Sequence, residues 1–290
     1  PRLSDHLPAE TKNSAQVMDL PTAILQVHFP DSNEKLKAAQ DRLAFDEIFL
    51  LQLGVLNQKR NWDSVSTQTI DISDEWLEAF YSRLPFALTN AQKKSIQEMR
   101  EDLKSGHPMN RLLQGDVGSG KTMVAASAAA MIISQGFQAA FMAPTSILAE
   151  QHYQSLLKLF CEGENALLSA DGIRLLVGNT SESERREILD GLQNGSVSLL
   201  IGTHALIEEP VAFKNLKLVI IDEQHRFGVS QRSALRNKGD NPHLLVMTAT
   251  PIPRSLALTV YGDLELSVMD EMPAGRQPVE TFVLSPSGRE

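Results

Sequence analysis

Gly115-Asp116-Val117-Gly118-Ser119-Gly120-Lys121-Thr122 reads G-x4-G-K-T, and this stretch decides the class of fold. It follows an apolar run at 111–114 and precedes a helical stretch at 123–135, closed by Gly136. A strand, a glycine-rich loop and a helix in that order are the setting of a phosphate-binding loop. The glycines let successive backbone N–H groups face one anion, and the helix N-terminus adds partial positive charge. Lys121 is placed to reach the β- and γ-phosphates of a nucleoside triphosphate, and Thr122 to offer its hydroxyl to Mg²⁺. A chance glycine-rich turn would have to produce both the spacing and the strand–helix context.

Outward from this loop, six β-rich apolar runs lie at 111–114, 139–143, 173–177, 197–202, 216–221 and 243–248. Helical stretches at 89–105, 121–135, 146–160, 181–194 and 228–236 alternate with them. Such alternation predicts an α/β fold, a parallel sheet with helices on both faces. Ligands then bind beyond the carboxyl ends of the strands, where this loop and the motifs below all fall.

The α/β region begins at Phe86. Ahead of it, residues 1–30 are Pro-rich and polar and read as an extended connector. Asp31-Ser32-Asn33-Glu34 resembles a capping box. Leu36, Ala39, Leu43, Leu50 and Leu53, joined by Phe45, Phe49 and Leu56, keep helical spacing. One amphipathic helix is predicted to about residue 59, with a bend at Gly54, then a loop and a short helix at 75–83. Residues 1–85 hold too few apolar positions for a domain of their own and are expected to pack against the larger part.

Composition narrows the function. No apolar run approaches membrane-spanning length, and the N-terminus lacks a signal pattern. The single cysteine, Cys161, excludes an internal disulfide and fits a reducing cytoplasm. A start at Pro1 without an initiator Met reads as a segment of something longer. The net charge is −9, and both parts are acidic: 8 basic against 13 acidic residues in 1–85, and 19 against 23 in 86–290. Any grip on nucleic acid must therefore be local.

The apolar run 218–221 leads straight into Asp222-Glu223-Gln224-His225. Two acids at a strand end, opposite a phosphate-binding loop, suit a Mg-nucleotide site. Asp222 would hold Mg²⁺, and Glu223 would orient or deprotonate the attacking water. Alone, the pair also fits a solvated turn; beside the G-x4-G-K-T loop, the nucleotide reading is favoured. Thr248-Ala249-Thr250 ends the run 244–247, and its hydroxyls either bond to residues 222–225 and sense the γ-phosphate or merely cap a strand. Thr89 with Gln92 fits a capping box; alternatively Gln92 bonds an adenine edge while Phe86 packs on the ring. Ala143-Pro144-Thr145 and Gly202-Thr203-His204 offer hydroxyls and N–H groups that bind phosphates without a basic surface. His152, Arg174 and Arg226 read as surface or salt-bridge residues, and His225 lacks the partners of a zinc site.

With these pieces assembled, the chain resembles a superfamily 2 helicase motor, and within that group the RecG family of bacterial ATP-dependent DNA helicases. The resemblance spans nearly all 290 residues and rests on LLQGDVGSGKT (112–122), MAPTSILAEQH (142–152), IGTHALI (201–207), IDEQHRFGVSQR (221–232) and TATPIPRSLAL (248–258). HFP (28–30) and RLAFDEIFLLQL (42–53) look like the helical segment that follows the family's wedge domain. The translocase module of the transcription-repair coupling factor is also similar, but that group shows DEEH where this chain has DEQH. The resemblance implies a RecA-like lobe at 86–275, with 276–290 leading towards a second lobe. It implies ATP and Mg²⁺ at Gly115, Asp116, Gly118, Ser119, Gly120, Lys121, Thr122, Asp222 and Glu223, and adenine at Phe86 and Gln92. Coupling falls to Gln224, His225, Thr248 and Thr250, and DNA contact to Pro144, Thr145, Gly202, Thr203 and His204. The implied partners are forked or branched DNA, a wedge domain and a second lobe that supplies an arginine finger. Without that finger, turnover by these residues is expected to be poor.

Overall fold

The computed structural model describes residues 3–163, 166–223, 234–250 and 264–273. The described residues fall into two compact units that divide between Trp62 and Asp63.

The first unit is helical from its start. Helices α1 (Ala9–Ala15) and α2 (Leu20–His28) occupy the stretch expected to be an extended connector. The prolines misled: Pro8 is the N-cap of α1 and Pro21 lies in the first turn of α2, where a missing N–H costs nothing. Asp19 completes the second start by accepting the Thr22 N–H at 3.1 Å. Helix α3 runs from Asn33 to Asp63, unbroken through Gly54. Its cap is Ser32, whose hydroxyl accepts the Lys35 N–H at 3.2 Å, while Asp31 instead accepts from the Gln26 amide and the Lys35 ammonium. The inward side of α3 is polar at its centre. Arg42 is fully buried and donates to Asp5 at 2.8 Å, to Asp46 at 3.0 Å and to the Met18 carbonyl. That guanidinium holds the Asp5 carboxyl well below the usual range. Leu50, Leu53 and Leu56, expected on the packed stripe, are exposed.

The second unit is a seven-stranded, all-parallel sheet. Its strands are β1 (Asn110–Gly115), β2 (Gln138–Met142), β3 (Ile173–Leu176), β4 (Leu199–Gly202), β5 (Leu216–Ile221), β6 (His243–Thr248) and β7 (Glu265–Met269). The order is β3-β4-β2-β5-β6-β1-β7. Six of these were expected; β7 pairs with the far side of β1. The helices are α4 (Asp74–Tyr81), α5 (Asn90–Lys104), α6 (Lys121–Ser134), α7 (Ser146–Cys161) and α8 (Glu182–Asn194). The helix expected at 228–236 lies mostly outside the described residues.

Every residue of α6 from Val124 to Ile133 is buried, and its alanines let it lie close in the core. Residues 64–85 belong to this unit, so it starts ahead of Phe86. Ile70, Ile72, Leu77, Phe80 and Leu84 join the core that contains Ile96 and Met99 of α5. The Ile70 N–H donates to the Leu103 carbonyl at 2.9 Å, and Arg100 donates to the Ile72 carbonyl at 2.7 Å. Among the described residues, no helix is long and apolar enough to cross a membrane.

Register brings the motifs together. Gln114 lies opposite Thr248, Ile221 opposite Val246 and Met142, and Met142 opposite Gly202. The residues that follow β1, β2, β4, β5 and β6 thus emerge along one edge of the sheet.

Candidate nucleotide-binding site

The loop from Gly115 to Gly120 turns from β1 into α6 with two left-handed glycines, Gly118 at φ +82° and Gly120 at φ +88°. A side chain would strain both. Space is also short: a Cβ on Gly115 would stand 2.6 Å from Ser119 Oγ and 2.9 Å from Met269 Cβ. Lys121 folds back over the loop, its ammonium donating to the carbonyls of Gly115 at 2.8 Å and Asp116 at 2.9 Å. Burial pushes its pKa below the usual lysine value, opposed by the carboxylates of Asp222, Glu223 and Asp116. The Ser119 hydroxyl is buried with no hydrogen-bond partner among the described residues. Asp116 is exposed, its carboxylate accepting the Val117 N–H at 2.7 Å.

Asp222 and Glu223 leave the end of β5. Asp222 is buried, its main-chain N–H donating to the Met142 carbonyl at 2.9 Å. Glu223 adopts a left-handed backbone at φ +53°, which is uncommon for a residue with a side chain and concentrates at functional turns. Neither feature is readable from the acidic pair alone. Thr248 is buried and its Oγ1 accepts the Thr250 N–H at 3.2 Å, a local turn contact of the capping kind. Gln224 and His225 lie outside the described residues.

Gln92 is fully buried at the start of α5 and forms the capping box with Thr89. Its Oε1 accepts the Thr89 N–H at 2.9 Å, and its Nε2 donates to the Ser119 carbonyl at 2.8 Å. The amide therefore clamps the Gly115–Gly120 loop, a contact the sequence did not suggest. Phe86 is half exposed. The exit from β7 reaches the same place: Glu271 accepts the Ala91 N–H at 3.2 Å.

Of the residues expected to face a phosphate backbone, Thr145 caps α7 by accepting the Leu148 N–H at 3.3 Å, beside a half-buried Pro144. Gly202 has a packing reason, since a Cβ there would lie 2.0 Å from the Leu176 carbonyl oxygen and 2.3 Å from Leu206. Thr203 is buried, its hydroxyl without a partner among the described residues, and His204 is exposed at the start of a short 3-10 turn. Arg174 is the salt-bridge residue it was expected to be, donating to Asp171 at 2.6 Å.

Of the two readings of His152, surface or salt-bridge residue, the structure favours the second, pairing it with Asp222. The histidine is buried on α7, and its Nε2 lies 2.9 Å from Asp222 Oδ2. Its ring rests tilted on Phe141, 4.6 Å between centroids. A signal existed: His152 falls on the same helical stripe as Ala149, Leu156 and Phe160, which are all buried.

The family model described as DEAD/DEAH box helicase matches residues 89–259. The chain is similar to the ATP-dependent DNA helicase RecG of Synechocystis sp., with 52% identity over 291 residues, 99% of this chain and 34% of that protein. Similarity to the RecG of Thermotoga maritima is 48% over 282 residues, 97% of this chain and 35% of that one. Among solved structures, RecG bound to a three-way DNA junction matches with a TM-score of 0.82 at 46% identity, over 96% of this chain and 37% of that one. The chain spans about a third of the length of these relatives.

Proposed function

This chain belongs to the DEAD/DEAH box helicase family, and we propose that it is the ATP-binding motor lobe of a DNA helicase that remodels branched DNA, such as stalled forks and Holliday junctions. One observation carries the proposal. The G-x4-G-K-T loop and the acids Asp222 and Glu223 end strands separated only by β6, and both carboxylates act electrostatically on Lys121. The similarity to RecG bound to a three-way DNA junction supports the choice of branched DNA.

The residues present fit a polyphosphate and a divalent cation. The left-handed glycines, the tight space at Gly115 and the unpartnered Ser119 hydroxyl together form an anion cradle. Lys121 exchanges its two loop carbonyls for phosphate oxygens. Thr122 and Asp222 are the residues that would hold Mg²⁺, which when bound neutralises charge developing on the phosphoryl oxygens. Glu223 orients the attacking water and accepts its proton. Phe86 and Gln92 would receive the adenine, and for this Gln92 gives up its bond to the Ser119 carbonyl. Pro144, Thr145, Gly202, Thr203 and His204 would form the strand-end segments that meet the DNA backbone, Gln224 and His225 would relay with Thr248 and Thr250, and a wedge domain and second lobe would complete the machine. An arginine finger contributes roughly 10³–10⁵ in rate in related NTPases. These 290 residues by themselves are therefore expected to bind Mg-ATP yet turn it over slowly.

The test is ATP binding and turnover by the chain on forked DNA, with Lys121→Ala as control. Mg-ATP binding that the control lacks, with turnover near the control level, is expected. Turnover far above the control would show that the site is complete within these residues and refute the half-motor reading. Failure to bind Mg-ATP at all would refute the nucleotide site.

A further inference from the structure

We infer that His152 is a positioning residue of the nucleotide site, its imidazole N–H fixing the carboxylate of Asp222 for the divalent cation. The inference rests on the reading of Asp222 as a metal-holding residue. Asp222 is held at two points. Its main chain is tied to β2 through the Met142 carbonyl, and its Oδ2 accepts from His152 Nε2 at 2.9 Å. With one oxygen and the backbone fixed, the carboxylate has one orientation in which the other oxygen is free.

The histidine is held as firmly. It projects from the buried stripe of α7 and rests on Phe141, which is itself fully buried in β2. Every other buried position on that stripe is apolar, Ala149, Leu156 and Phe160. A leucine at 152 would pack there without the cost of burying a ring nitrogen, so packing alone does not account for a histidine. A hydrogen bond donated to a carboxylate does account for it. Groups that orient metal-binding side chains in this way typically change metal affinity 10–100-fold when removed.

The experiment measures the chain's affinity for a non-hydrolysable ATP analogue with Mn²⁺ and in EDTA, in wild type, His152→Ala, His152→Phe, His152→Gln and Asp222→Asn. Thermal melts establish that each variant is folded. His152→Phe keeps a ring against Phe141 but has no donor, so it separates packing from hydrogen bonding. The gain in affinity on adding Mn²⁺ is expected to fall about ten-fold or more in His152→Ala and His152→Phe. It should return to within a few-fold of wild type in His152→Gln, whose amide restores an N–H at similar reach. Affinity in EDTA should be the same throughout. A wild-type Mn²⁺ gain in His152→Phe, with a loss in Asp222→Asn, overturns this inference alone. A wild-type gain in Asp222→Asn overturns the metal-site reading beneath it. A His152→Gln variant as weak as His152→Ala also overturns the inference, because the donated hydrogen bond would then not be what matters.

Discussion

Acidification should destabilise the sheet unit through one histidine. His243 opens β6, is fully buried, and accepts the Met109 N–H on Nδ1 at 2.9 Å. Burial is the main cause of a pKa lowered from 6.5 to about 4, reinforced by the positive charges of Lys217 and Arg236. Between these values the unfolded chain binds a proton that the folded chain refuses, so stability rises with pH. The contribution is therefore complete above about pH 6.5, is lost as pH falls, and stops changing below about 4. At about 1.4 kcal/mol for each pH unit, the gap corresponds to about 3 kcal/mol. The perturbation is His243→Asn, whose Oδ1 can still accept the Met109 N–H but which does not titrate. Urea unfolding of both proteins from pH 7 to pH 4 is the assay. The variant should be less stable at pH 7, because ring atoms are lost from the core, but its stability should fall with acid by about 3 kcal/mol less than that of wild type. Parallel pH profiles for the two proteins would refute the reasoning.

Gly202→Ala forces a Cβ to within 2.0 Å of the Leu176 carbonyl oxygen, a backbone atom that cannot step aside. A loss of at least about 3 kcal/mol is expected, seen as a lower thermal midpoint, and an unchanged midpoint would show that the strands tolerate separation. Arg42→Met leaves the Asp5 and Asp46 carboxylates without their shared partner. Removing one member of a buried ion pair costs about 3–5 kcal/mol, so amide exchange should quicken throughout α1, α2 and α3. Unaltered protection there would mean the network contributes little. In the full-length protein, Glu223→Gln should abolish ATP turnover while Mg-nucleotide affinity stays within a few-fold of wild type. Retained turnover would instead favour a nucleotide-gated switch that needs no water-activating carboxylate.

Local pattern carried much of this fold. The spacing predicts strands at 216–221 and 243–248 with the limits the structure shows, because the apolar stretches 218–221 and 244–247 end there at polar residues. The capping box of Thr89 and Gln92 was likewise legible, being a contact between near neighbours. Strand β7 escaped because its sequence, Glu265-Leu266-Ser267-Val268-Met269, is short and half polar, and it becomes a strand by pairing with β1 far away in the chain. Residues 64–85 fall with the sheet unit for a related reason. Ile70, Ile72, Leu77 and Phe80 are too few to make a core, yet enough to complete one supplied by α5 and α6.

The chemistry divides along the same line. From sequence alone came the G-x4-G-K-T loop, the acidic pair and the strand ends that carry them, since each is a short motif whose spacing is imposed by backbone geometry. Tertiary structure alone decided that Gln92 clamps Ser119, that Glu271 returns to the start of α5 and that His152 bonds Asp222. These contacts join residues 27, 180 and 70 positions apart. Their partners are chosen by the order and register of a parallel sheet, and no local pattern records that choice.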